Sequence, residues 1–295
     1  MKRVIALGFF DGVHIGHGAL LSCAAARAAA LDAGSAVFSF AKPPKEVILG
    51  RPIALLSTPR ERETLMRRLY HIDEVIFAPF DEAMQHMTWQ AFIAMLVSEY
   101  GAVHLVAGHD FRFGYQNEGD VQKLSAECAR LGIGCDIIPA VRLDNIIVSS
   151  THIRGLLENG DTETAVRFLG HPHLMIGEVC RGRGIGHTLG VPTVNFQLQS
   201  GSAVPKNGVY AAYAVLPDGQ KYSAVANIGV RPTFGEGERI MEAHLIGCSR
   251  SLYGETPELH LFAYLRQEKR FPSEAELQTQ IFADIETAKQ KYSSL

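Results

Sequence analysis

The 295-residue chain has no uninterrupted apolar stretch long enough to cross a membrane. A crossing needs roughly 18 apolar residues or more, and the longest runs here, such as Val4–Phe10, are far shorter. Lys2 and Arg3 precede that run as they would in a signal peptide, but Asp11 interrupts it at once. We therefore expect neither a targeting segment nor a membrane partner.

Cysteine is scarce and unpaired in pattern. The five cysteines are odd in number, and no two of them form a C-x-x-C pair, which argues against a disulfide framework and against a cysteine zinc site. This usage is typical of a reducing compartment, so the sequence predicts a cytoplasmic protein. The cysteines are Cys23, Cys128, Cys135, Cys180 and Cys248.

The chain also lacks a charge excess. Lys and Arg number 28 against 31 Asp and Glu, a net charge of −3, so no basic surface marks it for nucleic acid. Apolar residues make up 47% and charged residues 20%, a globular composition that excludes global disorder. The length predicts two domains or one large one, and it leaves the oligomeric state open.

The first half alternates strand-like and helix-like patterns. Strands separated by helices of this length predict parallel βαβ units and an α/β sheet covered on both faces. The predicted strands are Val4–Phe10, Ala36–Phe40, Glu74–Ala78, Val103–Ala107 and Ile133–Pro139. The predicted helices are Gly18–Ala33, Thr58–Leu69, Trp89–Tyr100 and Val121–Leu131.

After about Leu169 the pattern changes to short strands with turn signals, which predicts a small antiparallel barrel. Gly170–His173 is interpreted as a linker, so the predicted domains are residues 1–169 and 170–295. A helix from about Ser273 closes the chain, with apolar residues on one face. The predicted strands are Met175–Cys180, Val209–Leu216, Tyr222–Ile228, Ile240–Ile246 and Leu259–Leu265.

The segment Gly8–His17 lies between the first predicted strand and the first predicted helix. An open α/β sheet binds ligands at this edge, and a helix N-terminus there suits phosphate. His14 and His17 share one side of the opening turn, and Gly16 lets a phosphate approach the backbone closely. The alternatives are two unrelated surface histidines, or a zinc site whose further ligands are not evident in the sequence.

Two further segments of the first half carry candidate site residues. Ser150 and Thr151 stand at a helix start with Arg154 one turn later, so they hold a triphosphate tail or serve only as caps. In the loop after Val103–Ala107, Asp110 lies near the sheet edge, and Phe111 and Phe113 either stack on a ligand or belong to the core.

The second half has its own constellation. Pro192–Asn195 follows a glycine-rich loop, and Thr193 and Asn195 point the same way on an extended strand. Both side chains offer hard oxygen atoms suited to Mg²⁺, and Glu242 on a later strand could accept a hydroxyl proton. An ordinary turn and a solvated strand glutamate are the alternatives. The loop glycines are Gly182, Gly184, Gly186 and Gly190.

Both sets of motifs resemble one enzyme family. The motifs at His14–His17 (HxGH), Gly108–Gly114 and Ser149–Arg154 (SSTxIR) resemble the flavin-adenylylating branch of the nucleotidyltransferase superfamily. The run from Gly177–Asn195 through Asn227–Phe234 to Leu265–Phe271 resembles the flavokinase domain. Together they resemble the bacterial bifunctional riboflavin kinase/FMN adenylyltransferases, from about residue 3 to about residue 290.

The resemblance implies a doubly wound, Rossmann-like nucleotidyltransferase domain followed by a flavokinase barrel and a C-terminal helix. It implies that the chain phosphorylates riboflavin and then adenylylates FMN, using ATP with Mg²⁺, with riboflavin, FMN and FAD as substrates and products. In this scheme Glu242 is the base of the kinase, Thr193 and Asn195 hold the metal, and His14 and His17 stabilise the adenylyl-transfer charge. The implied nucleotide-binding residues are Gly8, Phe9, Asp11, Gly16, Asp110, Ser150, Thr151, Arg154, Gly182, Gly184, Gly186 and Gly190, and the implied flavin-binding residues are Phe111, Phe113 and Arg231.

Three departures from the family pattern stand in the sequence. Ala41 and Pro43 replace the Asp and His of the family's FDPHP motif, Asn117 stands where an Arg is common, and the HLLDF motif ends in Gly247 and Cys248. The first two lie in the adenylylating half, which motivates an alternative: a kinase whose first half binds nucleotide or flavin but adenylates weakly or not at all. A flavin-responsive regulator is a third reading, which no basic or helix-turn-helix pattern supports.

Overall fold

The computed structural model describes residues 1–181, 190–197, 201–231 and 238–293, with the side chains of Arg231 and Glu238 excepted. The chain divides into two compact units, Met1–Ser150 and Thr151–Leu295. The domain boundary expected after residue 169 stays a prediction. Within the described ranges, no helix combines the length and the apolar character that a membrane span requires.

A five-stranded parallel sheet forms the centre of the first unit. Its strands stand in the order β3-β2-β1-β4-β5, so the chain reverses direction across the sheet between β1 and β4. The strands are β1 Arg3–Leu7, β2 Gly34–Phe40, β3 Glu74–Ala78, β4 Ala102–Gly108 and β5 Gly134–Ile138, and a hairpin of β6 Arg142–Leu143 and β7 Ile146–Ile147 follows.

Helices bury both faces of this sheet. Ile5 and Leu7 pack with Phe92 and Leu124 in one core cluster, while Val4 and Ala6 alternate to the opposite face and are fully buried there. The sheet therefore exposes reactive side chains only at its edges and ends. The helices are α1 Ile15–Ala30, α2 Pro44–Leu49, α3 Pro59–Tyr70, α4 Glu82–Gln85, α5 Trp89–Ser98 and α6 Val121–Leu131.

The second unit is built on a seven-stranded antiparallel sheet in the order β8-β14-β11-β12-β13-β10-β9. Its two outermost strands, β8 and β9, are consecutive in the chain, so the sheet curls into a half-barrel. The strands are β8 His173–Ile176, β9 Glu178–Cys180, β10 Val194–Gln197, β11 Gly208–Val215, β12 Lys221–Arg231, β13 Glu238–Leu245 and β14 Glu258–Arg266. The helices are α7 Ser150–Asn159, α8 Thr162–Leu169 and α9 Glu274–Tyr292.

Alternate residues of these strands face two different environments. Tyr210, Ala226 and Met241 belong to the inner core of the half-barrel. Ala211 and Phe262 face outward and pack against Ala288 and its neighbours on α9. The predicted fold class, a parallel α/β domain followed by a small antiparallel barrel and a C-terminal helix, is confirmed.

Several predicted boundaries were wrong for identifiable reasons. The first strand ends at Leu7 rather than Phe10, because Phe10 adopts a left-handed conformation with φ of 59°. The single strand predicted over Met175–Cys180 is two strands, because the chain passes from one end of the sheet to the other at Gly177. A Cβ at Gly177 would lie 2.9 Å from the carbonyl oxygen of Gln197, so only glycine fits this crossing.

Several elements were not predicted as they stand, among them α2, α4, α8 and the β6–β7 hairpin. β10 was not among the predicted barrel strands, although Thr193 and Asn195 were placed on an extended strand. His173 was placed in a linker, but it is the buried first residue of β8. The helix over Val121–Leu131 was predicted with the observed bounds.

The cap of α3 provides a stability test. Thr58 accepts a hydrogen bond from the amide of Glu61, and the Glu61 carboxylate accepts one from the amide of Thr58 at 2.7 Å, a buried capping box. Thr58→Ala removes a cap and should lower the free energy of unfolding of the first unit by about 1 kcal/mol. Urea unfolding, followed by the fluorescence of Trp89, the one tryptophan of the chain, measures this change in the free energy of unfolding.

Thr58→Ser is the matched control. Because serine caps a helix about as well as threonine, the free energy of unfolding of this variant should stay near the wild-type value. Equal destabilisation by both substitutions would show that the methyl group, not the cap, matters at this position.

Candidate active sites

The loop after β1 is held in a strained conformation at the carboxyl end of the sheet. Phe10 and Val13 have φ of 59° and 43°, values that non-glycine residues rarely adopt, and Gly12 between them has φ of 79°. Phe10 and Val13 are both buried. Strain of this kind persists only where the surroundings impose it, and it concentrates at functional sites.

His14 and His17 meet at the start of α1. His14 caps the helix, its Nδ1 accepting a hydrogen bond from the amide of His17 at 3.2 Å. The two imidazole rings stack with centroids 3.6 Å apart, and Phe10 packs edge-on against His17 at 5.1 Å. Because Nδ1 of His14 is an acceptor, the neutral ring carries its proton on Nε2.

Glycine is needed beside this pair. A Cβ at Gly16 would lie 3.1 Å from Nδ1 of His14, and a Cβ at Gly8 would lie 3.0 Å from the ring of Phe10. A larger residue at position 16 would press on the capping histidine itself. The sequence predicted both glycines as ligand-contacting positions; the structure places them against the side chains that form the site.

Burial lowers the pKa of His17 well below its ordinary value of 6.5, and the charges of His14 and Arg62 lower it further. Nδ1 of His17 is buried and has no hydrogen-bond partner among the described residues. His17 is therefore a neutral imidazole near pH 7, with one N–H donor and one acceptor nitrogen.

Asp11 and Ser150 tie this loop to its neighbours. The buried Asp11 carboxylate accepts from the amide of Ser57 at 3.1 Å, and the Asp11 carbonyl accepts from the hydroxyl of Ser150 at 2.9 Å. Ser150 is the first residue of α7, and exposed Thr151 and half-buried Arg154 lie on the first turn of that helix. Direct contacts of these four residues with a nucleotide stay predictions.

The loop after β4 presents one of its three predicted residues to solvent. The Asp110 side chain is 84% exposed. Phe113 is a core residue, 6% exposed and packed on Phe92 with centroids 5.4 Å apart. Half-buried Phe111 stacks on Phe113 at 5.3 Å, so Phe111 is the ring of this pair that retains an exposed part. Flavin binding by either ring stays a prediction.

Sequence reasoning missed Arg62, which is fully buried beneath this site. Its guanidinium hydrogen-bonds to the loops that follow β1 and β2 and lies over the rings of Phe9 and Phe77, 4.3 and 4.9 Å from their centroids. Arg62 lies in α3, which contains several other charged residues. The sequence carries no signal that distinguishes a buried arginine in this helix from an exposed one such as Arg60.

In the second unit, strand register aligns the predicted kinase residues. Asn195 of β10 lies directly opposite Glu242 of β13, and Glu242 lies directly opposite Asn227 of β12. Directly opposed residues of antiparallel strands project on the same side, with Cβ atoms about 4.5–5.5 Å apart. The sheet therefore forms an Asn–Glu–Asn row on its outer face.

A cleft of ≈ 290 Å³ opens on this row, between the half-barrel and α9. Thr193 and Glu242 both line it, so two of the predicted kinase residues share one cavity. The remaining walls combine apolar and charged groups, and they include Val191, Val209, Val225, Asn227, His244, Arg266, Glu268, Lys269, Phe271, Leu277, Ile281 and Asp284.

Charged pairs hold the far wall of the cleft. Asp284 of α9 accepts hydrogen bonds from Nε and Nη2 of Arg266 at 3.0 and 2.7 Å, a charge-assisted bidentate pair that fastens the helix to β14. Asn227 donates to the Glu268 carboxylate at 3.1 Å. Arg266, Glu268 and Phe271 are the fixed positions of the LRxExxF motif, so the signal was present although these residues were not singled out.

Some predicted residues cannot be placed. Gly182, Gly184 and Gly186 lie outside the described residues, and so does the side chain of Arg231, whose backbone ends β12. Gly190 is described; it has φ of 72°, a conformation that favours glycine.

The donor set beside Glu242 fits a magnesium ion that arrives with ATP. Thr193 and Asn195 offer a hydroxyl and an amide oxygen, the hard neutral ligands that accompany substrate phosphates and water around Mg²⁺. In the described part of the chain, no three His, Cys, Asp or Glu side chains gather as metal ligands. The hydroxyl of Thr193 and the amide oxygen of Asn195 are neutral donors, so they suit an ion whose charge is balanced by substrate phosphates.

Two family models match the chain, one for each half. The FAD synthetase model matches residues 1–152, and the riboflavin kinase model matches residues 169–292. The first match contains the histidine pair and the start of α7, and the second contains the whole Asn–Glu–Asn row.

Curated relatives match over nearly the full length. The bifunctional riboflavin kinase/FMN adenylyltransferases of Haemophilus influenzae and Pseudomonas fluorescens are 34% and 36% identical, covering 98% and 97% of this chain and 94% and 92% of theirs. The Bacillus subtilis enzyme of the same name is 32% identical over 100% of this chain and 94% of its own. A crystal structure described as a macrolide-efflux protein of Streptococcus pneumoniae is similar with a TM-score of 0.85 and 28% identity, covering 98% and 94% of the two chains.

The lowered pKa of His17 predicts a pH dependence of stability. Below pH 6.5 the unfolded chain binds a proton at His17 that the folded chain does not, so the free energy of unfolding should fall as the pH drops through that value. His17→Asn removes this contribution. Between pH 7.5 and 5.5, urea unfolding followed by Trp89 fluorescence should show a smaller loss for the variant than for wild type.

The comparison is between slopes with pH, so a uniform effect of the substitution on stability does not disturb it. Parallel pH dependences for wild type and His17→Asn would contradict a neutral, buried His17.

Proposed function

The chain belongs to the family of bifunctional riboflavin kinase/FMN adenylyltransferases and carries both activities, and we propose which of its residues perform each one. It phosphorylates riboflavin to FMN and then transfers an adenylyl group from ATP to FMN, giving FAD. Each activity belongs to one of the two matched segments. The alternative, a kinase whose first half binds nucleotide or flavin but adenylates weakly or not at all, finds no support in these matches.

For the kinase, we assign the proton transfer to Glu242. The ribityl 5′-hydroxyl oxygen attacks the γ-phosphorus of ATP, the bond from that phosphorus to the β,γ-bridging oxygen breaks, and ADP leaves. The hydroxyl proton passes to the Glu242 carboxylate, which acts as general base. Phosphoryl transfer depends mainly on positioning and charge neutralisation, so a site assembled from one strand row and a loop suffices.

Thr193 and Asn195 would hold the Mg²⁺ of MgATP, which neutralises charge on the phosphates. The loop from Gly182 to Gly190 would cover those phosphates, and Arg231 would contact the flavin. The observation that carries the kinase assignment is the register that sets Asn195 directly opposite Glu242, since it places a metal-ligand candidate beside a base candidate on one face of the sheet.

For adenylyl transfer, a phosphate oxygen of FMN attacks the α-phosphorus of ATP and pyrophosphate leaves. We assign the stabilisation of the developing charge to His14 and His17. Because Nδ1 of His14 caps α1, Nε2–H is the ring group that would donate to the phosphate oxygens. No covalent intermediate with the protein is needed.

The departing pyrophosphate would be held by Ser150, Thr151 and Arg154 at the start of α7, where helix N–H groups also favour anions. The loops after β1 and β4 would surround the nucleotide through Gly8, Phe9, Asp11, Gly16 and Asp110, and Phe111 and Phe113 would border the flavin. A cytoplasmic location and no nucleic-acid binding complete the proposal and rest on composition. The small-molecule partners ATP, riboflavin and FMN follow from the family.

Glu242→Gln should separate the two activities. The amide cannot accept the hydroxyl proton, so FMN formation from riboflavin should fall by roughly 10²–10⁴-fold, while FAD formation from supplied FMN should stay at the wild-type rate. Chromatography of the flavins measures both rates in one preparation. Glu178→Gln, an exposed strand glutamate of the same sheet, is the control and should change neither.

His14→Ala should have the opposite effect. Losing a donor to the transition-state charge should slow FAD formation by roughly 10²–10³-fold, with FMN formation unchanged. His86→Ala, an exposed histidine of the same unit, should leave both rates intact. If His14→Ala formed FAD at the wild-type rate, the assignment of the histidine pair to adenylyl transfer would be wrong.

A further inference from the structure

Arg62 connects the ends of two neighbouring strands. Its Nη1 donates to the carbonyl of Phe9 at 2.7 Å and to the hydroxyl of Ser39 at 3.1 Å. Its Nη2 donates to the carbonyls of Phe40 and Ala41, both at 3.0 Å. One side chain from α3 thus spans the chain that leaves β1 and the chain that leaves β2, at the carboxyl edge of the sheet.

These contacts act on the most strained part of the site. The Phe9 carbonyl belongs to the peptide bond that leads into Phe10, where φ is 59°. That carbonyl accepts from Arg62 and also from the Ser39 hydroxyl, at 3.1 Å. Two donors therefore fix the orientation of this peptide, and the turn that follows delivers His14 to the start of α1.

Full burial of a guanidinium is costly unless specific groups compensate it. Here the side chain is 0% exposed, and burial lowers its pKa to about 10, opposed by the carboxylates of Asp11 and Glu61. Arg62 is still a cation near pH 7. The carboxylates of Asp11 and Glu61 accept hydrogen bonds from the amides of Ser57 and Thr58. The positive charge of Arg62 is therefore balanced by protein groups that are themselves held in place.

The cation also acts on the histidine pair at a distance, because its positive charge contributes to the lowered pKa of His17. Arg62 therefore has two effects on this loop: its hydrogen bonds orient the backbone, and its charge favours the neutral form of His17.

We propose that Arg62 is a positioning residue for adenylyl transfer, a buried clamp that holds the loops after β1 and β2 and so places the His14–His17 pair against the nucleotide. This inference rests on the assignment of that pair to adenylyl transfer. Arg62 acts through the backbone of Phe9, Phe40 and Ala41, and it does not touch the reacting atoms.

Its backbone contacts explain how the loop after β2 is held despite the departure from the family motif. The acceptors are the carbonyls of Phe40 and Ala41, so they are available whatever side chain stands at position 41. In this chain Arg62 of α3 holds the backbone of that loop.

Arg62→Lys is the decisive variant. Lysine keeps the charge but cannot reproduce four hydrogen bonds from a planar fork. A small misplacement of catalytic groups costs up to about 100-fold, so kcat for FAD formation from FMN should fall by roughly 10- to 100-fold. KM for ATP and for FMN should change little, and FMN formation from riboflavin should match wild type.

Arg62→Met should show the same split more strongly, and circular dichroism with thermal melting reports whether each variant folds. If the methionine variant fails to fold, the lysine variant decides. Arg60→Met removes a cation from the exposed side of the same helix and should leave kcat for FAD formation unchanged.

A folded Arg62→Lys protein with wild-type kcat for FAD formation would overturn the inference, and so would a rise in KM with kcat intact. His14→Ala separates this result from a failure of the function assignment. If His14→Ala abolishes FAD formation and Arg62→Lys does not, only the role of Arg62 is wrong. If His14→Ala has no effect, the assignment of the histidine pair fails first.

Discussion

The first sheet is covered on both faces and the second on its inner face and part of its outer face, and this cover limits where a ligand can meet polar side chains. In the first unit, helices bury alternate residues such as Ile5 and Val4 on opposite faces, so polar groups can meet a ligand only in the loops at the carboxyl edge. In the second unit, the inner face is apolar core and α9 covers part of the outer face. Two residues of the Asn195–Glu242–Asn227 row, Glu242 and Asn227, line a cleft that α9 also borders.

In our assignment both sites bind ATP, but they act on it by different means. The first, as we assign it, relies on fixed donors in a strained loop, where His14 caps α1, His17 stays neutral, and Arg62 holds the backbone that precedes them. The second uses a row of side chains whose spacing comes from strand pairing. Adenylyl transfer needs charge stabilisation at the α-phosphorus, and the kinase needs a base near a hydroxyl, so each scaffold matches the demand of its step.

Much of this architecture could be predicted from the sequence because it follows from local patterns. The helix over Val121–Leu131 has an N-capping aspartate and a glycine after its last residue, and it was predicted with its observed bounds. Long-range facts were not accessible in this way. The burial of Arg62 depends on four acceptors far away in sequence, the split at Gly177 depends on which strands pair, and the placement of Phe113 in the core depends on Phe92. The cleft residues Arg266 and Glu268 were visible only as members of a motif.

The claim that two independent sites act in succession on one flavin is tested most directly by a time course with the wild-type protein, riboflavin, ATP and Mg²⁺. The account predicts that FMN rises first and then gives way to FAD. Each FAD formed should be accompanied by one ADP from the kinase step and one pyrophosphate from the adenylyl step. FMN that accumulates without pyrophosphate release, or FAD that appears without ADP, would contradict it.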